Sequence, residues 1–246
     1  MAKIQNVTTN PVIKYSEIKL PEYDRERLED VAFVTAMTLV MMGNYSQTGH
    51  FGGPLAYTPY TVATHLAGPE LGGLKYDYRR PKHPYSDKFL LAGGHNAPAT
   101  YALWMVLGEA LNNEYNKTNS EIYYADPNQT LLSIDSLGFR RGKDALETLL
   151  QSHGLDDHPA FKQAKIRGIR ALSGHSESTD LTNDVNGGPS GVGIATAAGK
   201  AVFWEMLGAS ESPKIITFGS RRNVEVLQRG RVGTDSLPGN SWRPRA

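Results

Sequence analysis

The chain has no cysteine among its 246 residues, which excludes a disulfide framework and a metal site with cysteine ligands. Its formal net charge is only +1, so composition gives no reason to expect a nucleic acid or a membrane surface as partner. The longest apolar run, Val31 to Met42, is interrupted by threonines and falls well short of the roughly 20 residues that a membrane span needs. The N-terminus lacks the apolar core of a signal peptide. We therefore expect a soluble, cytoplasmic protein.

A hydrophobic content of 39% over this length is enough for one large domain with a sizeable core. We expect an extended arm over residues 1–23, a domain over 24–218 and an arginine-rich irregular tail over 219–246. Patterning predicts helices at 24–43, 58–66, 98–111 and 143–151, strands at 88–92 and 214–218, a polar surface excursion at 112–129, and a loop with a short helix at 152–170. This alternation predicts an α/β fold, a parallel sheet flanked by helices, with ligands bound beyond the carboxyl ends of the strands.

The stretch from Thr182 to Gly208 is a polar, glycine-rich turn that passes directly into a helix-like segment of small and apolar residues. The turn contains Gly187, Gly188, Pro189, Ser190 and Gly191. A glycine turn that opens a helix leaves first-turn N–H groups pointing at open space, which favours a phosphate or diphosphate. Taken alone, the pattern is equally typical of a tight strand-to-helix turn.

Three of the seven histidines follow a glycine directly, and each lies in a turn beside a helix start: His50, His95 and His175. A single histidine in this setting would be assigned a surface or capping role. Three with the same local sequence, together with a phosphate-binding turn, point to a site. Their separation along the chain does not fit a helical metal site. Neutral imidazoles there can donate to phosphate oxygens, orient a carbonyl or move protons.

Four motifs in order give the chain a resemblance to a known family. They are TGHFGGPL, DKFLLAGGHNAPATYALWMVLGEAL, ALSGHSE and NGGPSGVGIATAAGKA. Together they resemble the N-terminal, diphosphate-binding domain of transketolase, over roughly residues 25–218, with a weak match at 113–170. The resemblance implies the thiamine diphosphate-binding fold. It also implies transfer of two-carbon ketol units between sugar phosphates, as in the pentose phosphate pathway, with thiamine diphosphate and Mg²⁺ or Ca²⁺ as cofactors.

The resemblance also assigns roles to individual residues. His50 matches a histidine near the thiazolium ring and substrate, His95 one that contacts the diphosphate, and His175 one that reaches the substrate hydroxyls and donor carbonyl. The residues Gly188, Pro189 and Ser190 match the family's Gly-Pro-Leu, whose backbone contacts the diphosphate and the aminopyrimidine side. Three positions depart from the family pattern: Phe51 and Ser176 replace prolines, and Ser190 replaces a leucine.

The largest departure follows the strand at 214–218. There the family has an acidic, glycine-containing turn that holds the divalent ion, whereas this chain continues as Gly-Ser-Arg-Arg. Six of the fourteen arginines and none of the lysines fall in residues 219–246. Our hypothesis is that the reading frame shifts near codon 219, so that the chain lacks the metal ligands and the pyrimidine-binding domain and is inactive alone. A basic disordered tail is the alternative, and a nucleic-acid arm is disfavoured.

Two other functions stay open. One is a 2-oxoacid dehydrogenase E1-type component, which shares the cofactor and the fold but acylates a lipoyl domain. The other is a non-catalytic interaction subunit that has lost cofactor binding. The helices at 24–43 and after His95 are too apolar to face water, so we expect a second subunit or partner chain, in a homo- or hetero-oligomer, to cover them.

Overall fold

The computed structural model describes residues 25–83, 86–140, 154, 167–189, 191–206, 213–218, 224–228 and 231–233. Its helices are α1 (Leu28–Ser46), α2 (Gly52–Leu66), α3 (Ala97–Thr118) and α4 (Val192–Met206). Its strands are β1 (Lys88–Leu91), β2 (Ile215–Phe218), β3 (Val224–Gln228) and β4 (Arg231–Gly233). Helices packed on a sheet that contains a parallel pair are compatible with the predicted α/β class.

The sheet has the strand order β1-β2-β3-β4. β1 and β2 are parallel, with Lys88 opposite Ile215 and Leu91 opposite Phe218. β3 pairs antiparallel with β2, and β4 pairs antiparallel with β3. The parallel pair brings the carboxyl ends of β1 and β2, and the turn that follows β1, to one end of the sheet.

Helices cover both faces of the parallel pair. Phe89, Leu91 and Ile216 join the large core formed with α1, α2 and α3. Leu90 and Ile215 point to the opposite face, where they pack with Val185 of the preceding loop and with α4. Because successive strand residues face opposite sides, four-residue strands buried on both faces read as continuous apolar runs.

The centre of the large core is the first half of α3. Tyr101, Trp104 and Met105 are all at most 2% exposed there. His65 of α2 lies in the same core, with its ring centroid 4.6 Å from that of Phe89, and burial lowers its pKa to about 4. His65 is therefore a neutral core side chain at pH 7, and its Nδ1 donates to the Thr61 carbonyl at 2.7 Å.

The predicted helices and strands that fall within the described residues are present, with shifted boundaries. α1 runs four residues later at its start and three at its end than the predicted 24–43, and α2 begins at Gly52 rather than residue 58. α3 continues to Thr118, so residues 112–118 of the predicted surface excursion are helical, and the helix ends at Asn119 in the left-handed conformation (φ 52°). The predicted helix at 143–151 and most of the segment 152–170 lie outside the described residues, as does the arm at 1–23.

The tail differs from its prediction. Residues 224–228 and 231–233 form strands, although 219–246 is expected to be irregular. The physical reason lies in β2, whose edge opposite β1 offers free backbone groups, and in the alternating valines of Val224-Glu-Val, which suit a strand. A short pattern of this kind gives little periodic signal in a sequence.

The two helices that are expected to need a partner behave differently. The apolar face of α3 is covered by the chain itself, with eleven residues of that helix buried. α1 instead leaves a stripe of large apolar side chains 46–67% exposed: Phe33, Val34, Met37, Val40 and Met41. Among the described residues, no helix is long and apolar enough to cross a bilayer.

Gly108, inside α3, provides a test of the packing. A Cβ added there would overlap the carbonyl oxygen of Leu131 and lie 2.7 Å from Cγ2 of Thr130. We expect Gly108→Ala to lower the free energy of unfolding by about 1–3 kcal/mol, measured by urea denaturation followed by circular dichroism.

Gly199, inside α4, is the matched control, since a Cβ there meets no atom within 4 Å. We expect Gly199→Ala to leave stability unchanged or raise it by up to about 1 kcal/mol, because alanine is the better helix former. Equal effects of the two substitutions would contradict the close approach of α3 to the 130–132 loop.

Candidate functional site

Three histidines from separate parts of the chain come together in the fold. His50 lies in the loop between α1 and α2, His95 in the turn between β1 and α3, and His175 in the loop that precedes the glycine turn. The ring centroid of His50 is 5.5 Å from that of His95 and 6.5 Å from that of His175. His50 is exposed and the other two are half-buried, so this histidine cluster is open to solvent.

The cluster is held by close backbone packing at the end of β1. The N–H of Ser176 donates to the carbonyl of Gly94 (3.1 Å), and the N–H of Gly187 donates to the carbonyl of Ser176 (2.9 Å). A Cβ on Gly94 would overlap the carbonyl oxygen of Gly187. The absence of a side chain at Gly94 therefore lets the loop that carries His175 and the glycine turn lie directly against the turn that carries His95.

The start of α4 approaches β1 equally closely. A Cβ on Gly193 would lie 2.5 Å from Cα of Ala92, and the N–H of Gly191 donates to the Ala92 carbonyl at 2.8 Å. Gly191 has a φ of +95°, which favours glycine at the point where the turn enters the helix. The N-terminus of α4 is thus fixed beside the carboxyl end of β1, where ligands bind in α/β sheets.

Electrostatics keep His95 neutral. Partial burial lowers its pKa, and the neighbouring His50 and His175 lower it further. A neutral imidazole has one N–H donor and one acceptor nitrogen at pH 7. His95 can therefore both donate to an anionic oxygen and accept a proton.

Two buried polar atoms beside the cluster have no hydrogen-bond partner: Oδ1 of Asn96 and Oγ of Ser176. Asn96 is 4% exposed and Ser176 only 1%. Buried polar groups are nearly always paired in folded proteins, so two orphans that flank one cluster indicate a place where a polar ligand or water completes the bonding.

The loop behind His175 is tied to α3 through side chains. The hydroxyl of Tyr101 donates to a carboxylate oxygen of Asp180 at 2.6 Å, and Asp180 also accepts the N–H of Glu177 at 2.9 Å. Burial raises the pKa of both Tyr101 and Asp180. Two residues further on, the Thr182 hydroxyl lies 3.1 Å from that of Thr100. These bonds fix the loop on which His175 stands.

The remaining residues of the predicted site lie in the glycine turn. Gly187 is buried against Ser176, Gly188 and Pro189 are exposed, and Ser190 lies outside the described residues. Phe51, which replaces a proline of the family pattern, packs its ring against Phe139 with centroids 5.6 Å apart. This contact supports the loop that bears His50.

Sequence analysis did not single out Asn96, Tyr101 or Asp180. Asn96 directly follows His95, and that adjacency was the one signal that could have pointed to it. The pairing of Tyr101 with Asp180 joins residues 79 positions apart and has no sequence signature. Within the part of the chain that the structure describes, no group of three or more histidine or acidic side chains is arranged to hold a metal ion.

Comparison with known proteins does not assign the chain to a family. No protein-family model matches the chain, and a search of curated proteins finds no significant match. The resemblance to transketolase therefore remains an expectation from the four sequence motifs.

Removing the Tyr101 hydroxyl tests how much its hydrogen bond to Asp180 stabilises the loop that carries His175. Tyr101→Phe removes one of the two hydrogen bonds that Asp180 accepts, and a hydrogen bond to a charged group contributes about 1.5–3 kcal/mol. We expect the free energy of unfolding to fall by about that amount at pH 7. Tyr124→Phe, at a tyrosine that is 46% exposed, is the control and should change stability by less than about 0.5 kcal/mol. A Tyr101→Phe protein as stable as the control would show that the bond contributes little.

Proposed function

We propose that this chain is the diphosphate-binding part of a transketolase-like enzyme that transfers two-carbon ketol units between sugar phosphates. The observation that carries the proposal is the meeting of His50, His95 and His175, from three separate motifs, beside the glycine turn. On this proposal the sheet and its helices are the diphosphate-binding domain of the thiamine diphosphate-binding fold.

The residues at the site fit the diphosphate end of thiamine diphosphate. The glycine turn leads into the N-terminus of α4, where an anion is favoured. The N–H groups of Gly187 and Gly191 already donate within the fold, so the remaining N–H groups at the start of α4 would bind the anion. His95 is neutral and half-buried, so it can donate a hydrogen bond to a diphosphate oxygen. The orphan atoms of Asn96 and Ser176 add two polar groups beside the cluster. When bound, thiamine diphosphate supplies the stabilised carbanion that ketol transfer requires.

The roles of His50 and His175 follow from their positions on the open side of the cluster. Both can donate to the hydroxyl and carbonyl oxygens of a sugar substrate and can hold or release a proton at an imidazole nitrogen.

The proposal also needs ligands for a divalent metal ion, and the sequence after β2 does not supply the acidic ones that the family uses. Mg²⁺ and Ca²⁺ take oxygen ligands. The sequence after β2 begins Gly-Ser-Arg-Arg, where the family has an acidic turn. We therefore propose that the chain is inactive alone and that missing domains or a second subunit supply the pyrimidine-binding site.

One observation favours a second candidate, the non-catalytic interaction subunit. β3 returns antiparallel along β2 directly after the basic segment 219–223, so the chain continues the sheet where the family would place its acidic turn. A protein of this kind would keep the histidine cluster without using it for catalysis.

Ligand binding by the full chain separates the two candidates. We expect thiamine diphosphate with Ca²⁺, and inorganic pyrophosphate alone, to raise the melting temperature and to give a measurable Kd by isothermal titration calorimetry. His95→Ala should weaken binding of either compound about 10- to 100-fold, since it removes a hydrogen bond to a charged group.

His83→Ala is the control for this experiment, because His83 lies outside the histidine cluster and should leave affinity unchanged. Absence of binding by the wild-type chain would overturn the cofactor proposal and favour the interaction subunit. Once the missing domains are supplied, acylation of a lipoyl domain in place of ketol transfer would identify an E1-type component instead.

The exposed stripe on α1 supports a second copy of this chain as the partner. None of its five residues carries a charge, so two copies can meet there without repulsion. Antiparallel packing of two 19-residue helices would also oppose their dipoles over about 28 Å. Such a contact would bury the largest apolar surface that the helix leaves open.

A glutamate in the middle of this stripe should disrupt the contact. We expect Met37→Glu to weaken self-association at least about tenfold in sedimentation equilibrium, because it buries an unpaired charge. Asn113→Glu places the same charge at an exposed position of α3, away from the stripe, and should leave association unchanged. A monomeric wild-type chain that binds no hydrophobic dye would contradict this contact.

A further inference from the structure

A pocket lies far from the histidine cluster, at the opposite end of α3 from His95. It has a volume of about 460 Å³ and is formed by the last turns of α3, the following loop at 123–132, and Arg167. Tyr115 stands about 18 residues beyond the start of α3, which places it roughly 27 Å along the helix from His95. The volume is within the range of small-molecule sites.

Aromatic rings form one side of the pocket. The rings of Tyr115 and Tyr124 meet at 64° with centroids 5.3 Å apart, and Tyr123 lies beside them. Two rings at this angle make a corner rather than a parallel slot. A puckered ring can place its C–H groups against both walls of such a corner.

Amide side chains form the polar side. Asn112, Asn116 and Asn128 line the pocket, and each amide carries both donors and acceptors. The one hydrogen bond between them, from Asn116 to Asn112, is long at 3.5 Å. Groups that both donate and accept match the hydroxyl groups of a sugar, which do the same.

The charged side chain that lines the pocket is paired with a carboxylate. Arg167 is the only lining residue with a formal charge among those described, and its guanidinium donates to both carboxylate oxygens of the buried Asp135 at 2.9 Å. Two more of its five N–H groups donate to the carbonyls of Pro127 and Thr130. Among the lining residues that the structure describes, the one cation is therefore already paired with a carboxylate.

We propose that this tyrosine–asparagine pocket binds an uncharged, polyhydroxylated ring, that is, a sugar without a phosphate group. The corner of Tyr115 and Tyr124 would take the C–H face of the ring, and the three asparagines would take its hydroxyl groups. The proposal is independent of the histidine cluster, where a sugar phosphate is the expected substrate.

Saturation-transfer difference NMR on the full chain tests the proposal, with glucose as the probe. We expect a glucose signal with wild-type protein, and a weaker or absent signal with glucose 6-phosphate and with adenosine. Tyr124→Ala and Asn116→Ala should each reduce glucose affinity at least about fivefold. Tyr60→Ala and Asn44→Ala, which change an exposed tyrosine and asparagine elsewhere, should leave it unchanged.

A measurement on the wild-type protein is also needed, because a variant could lose glucose binding by misfolding. Tyrosine ring resonances, assigned by selective labelling, should shift for Tyr115, Tyr123 and Tyr124 when glucose is added, and not for Tyr60. The proposal is overturned if wild-type protein gives no glucose signal, if the signal survives both pocket substitutions, or if adenosine binds more tightly than glucose.

Discussion

Backbone contact at the carboxyl end of β1 is the constraint on which the rest of the site depends. The turn after β1, the loop after residue 172 and the entry to α4 meet there without intervening side chains, because Gly94 and Gly193 have none. A single methyl group at either position would have to displace main chain, which a close-packed interior resists. The histidines themselves make few of the contacts that hold them together. Their positions are consequences of glycine packing.

The same strand end also links the two layers of the fold. β1 contributes alternate residues to the α1–α3 core and to the smaller core under α4, so the site lies where both layers reach the sheet. Asp87, just before β1, accepts the N–H groups of Lys75 at 2.7 Å and Lys214 at 2.7 Å. One carboxylate thus fixes the start of the parallel pair, while the glycines fix its end.

Much of this arrangement could be predicted from local sequence. Both strands of the parallel pair, Lys88–Leu91 and Ile215–Phe218, are short apolar runs bounded by glycine or lysine. Gly-His turns lie near them in the sequence. The start of α2 could not be predicted, since Gly52-Gly53-Pro54 has the composition of a loop and is helical only through packing on α1 and α3. The tyrosine–asparagine pocket depends on the ion pair between Arg167 and Asp135. These residues are 32 positions apart, and their pairing has no pattern in the sequence.

The pairing of β1 with β2 has a consequence for the order in which the molecule folds. The hydrogen bond from Lys214 to Asp87 spans 127 residues, whereas α1, α2 and α3 contact one another within the first half of the chain. Local contacts of this kind form early, and distant strand pairing is slow because a long loop must close first. On the ribosome, the helical half emerges first, and β1 waits with an open edge until residue 215 is made. The histidine cluster, which needs both halves, is completed last.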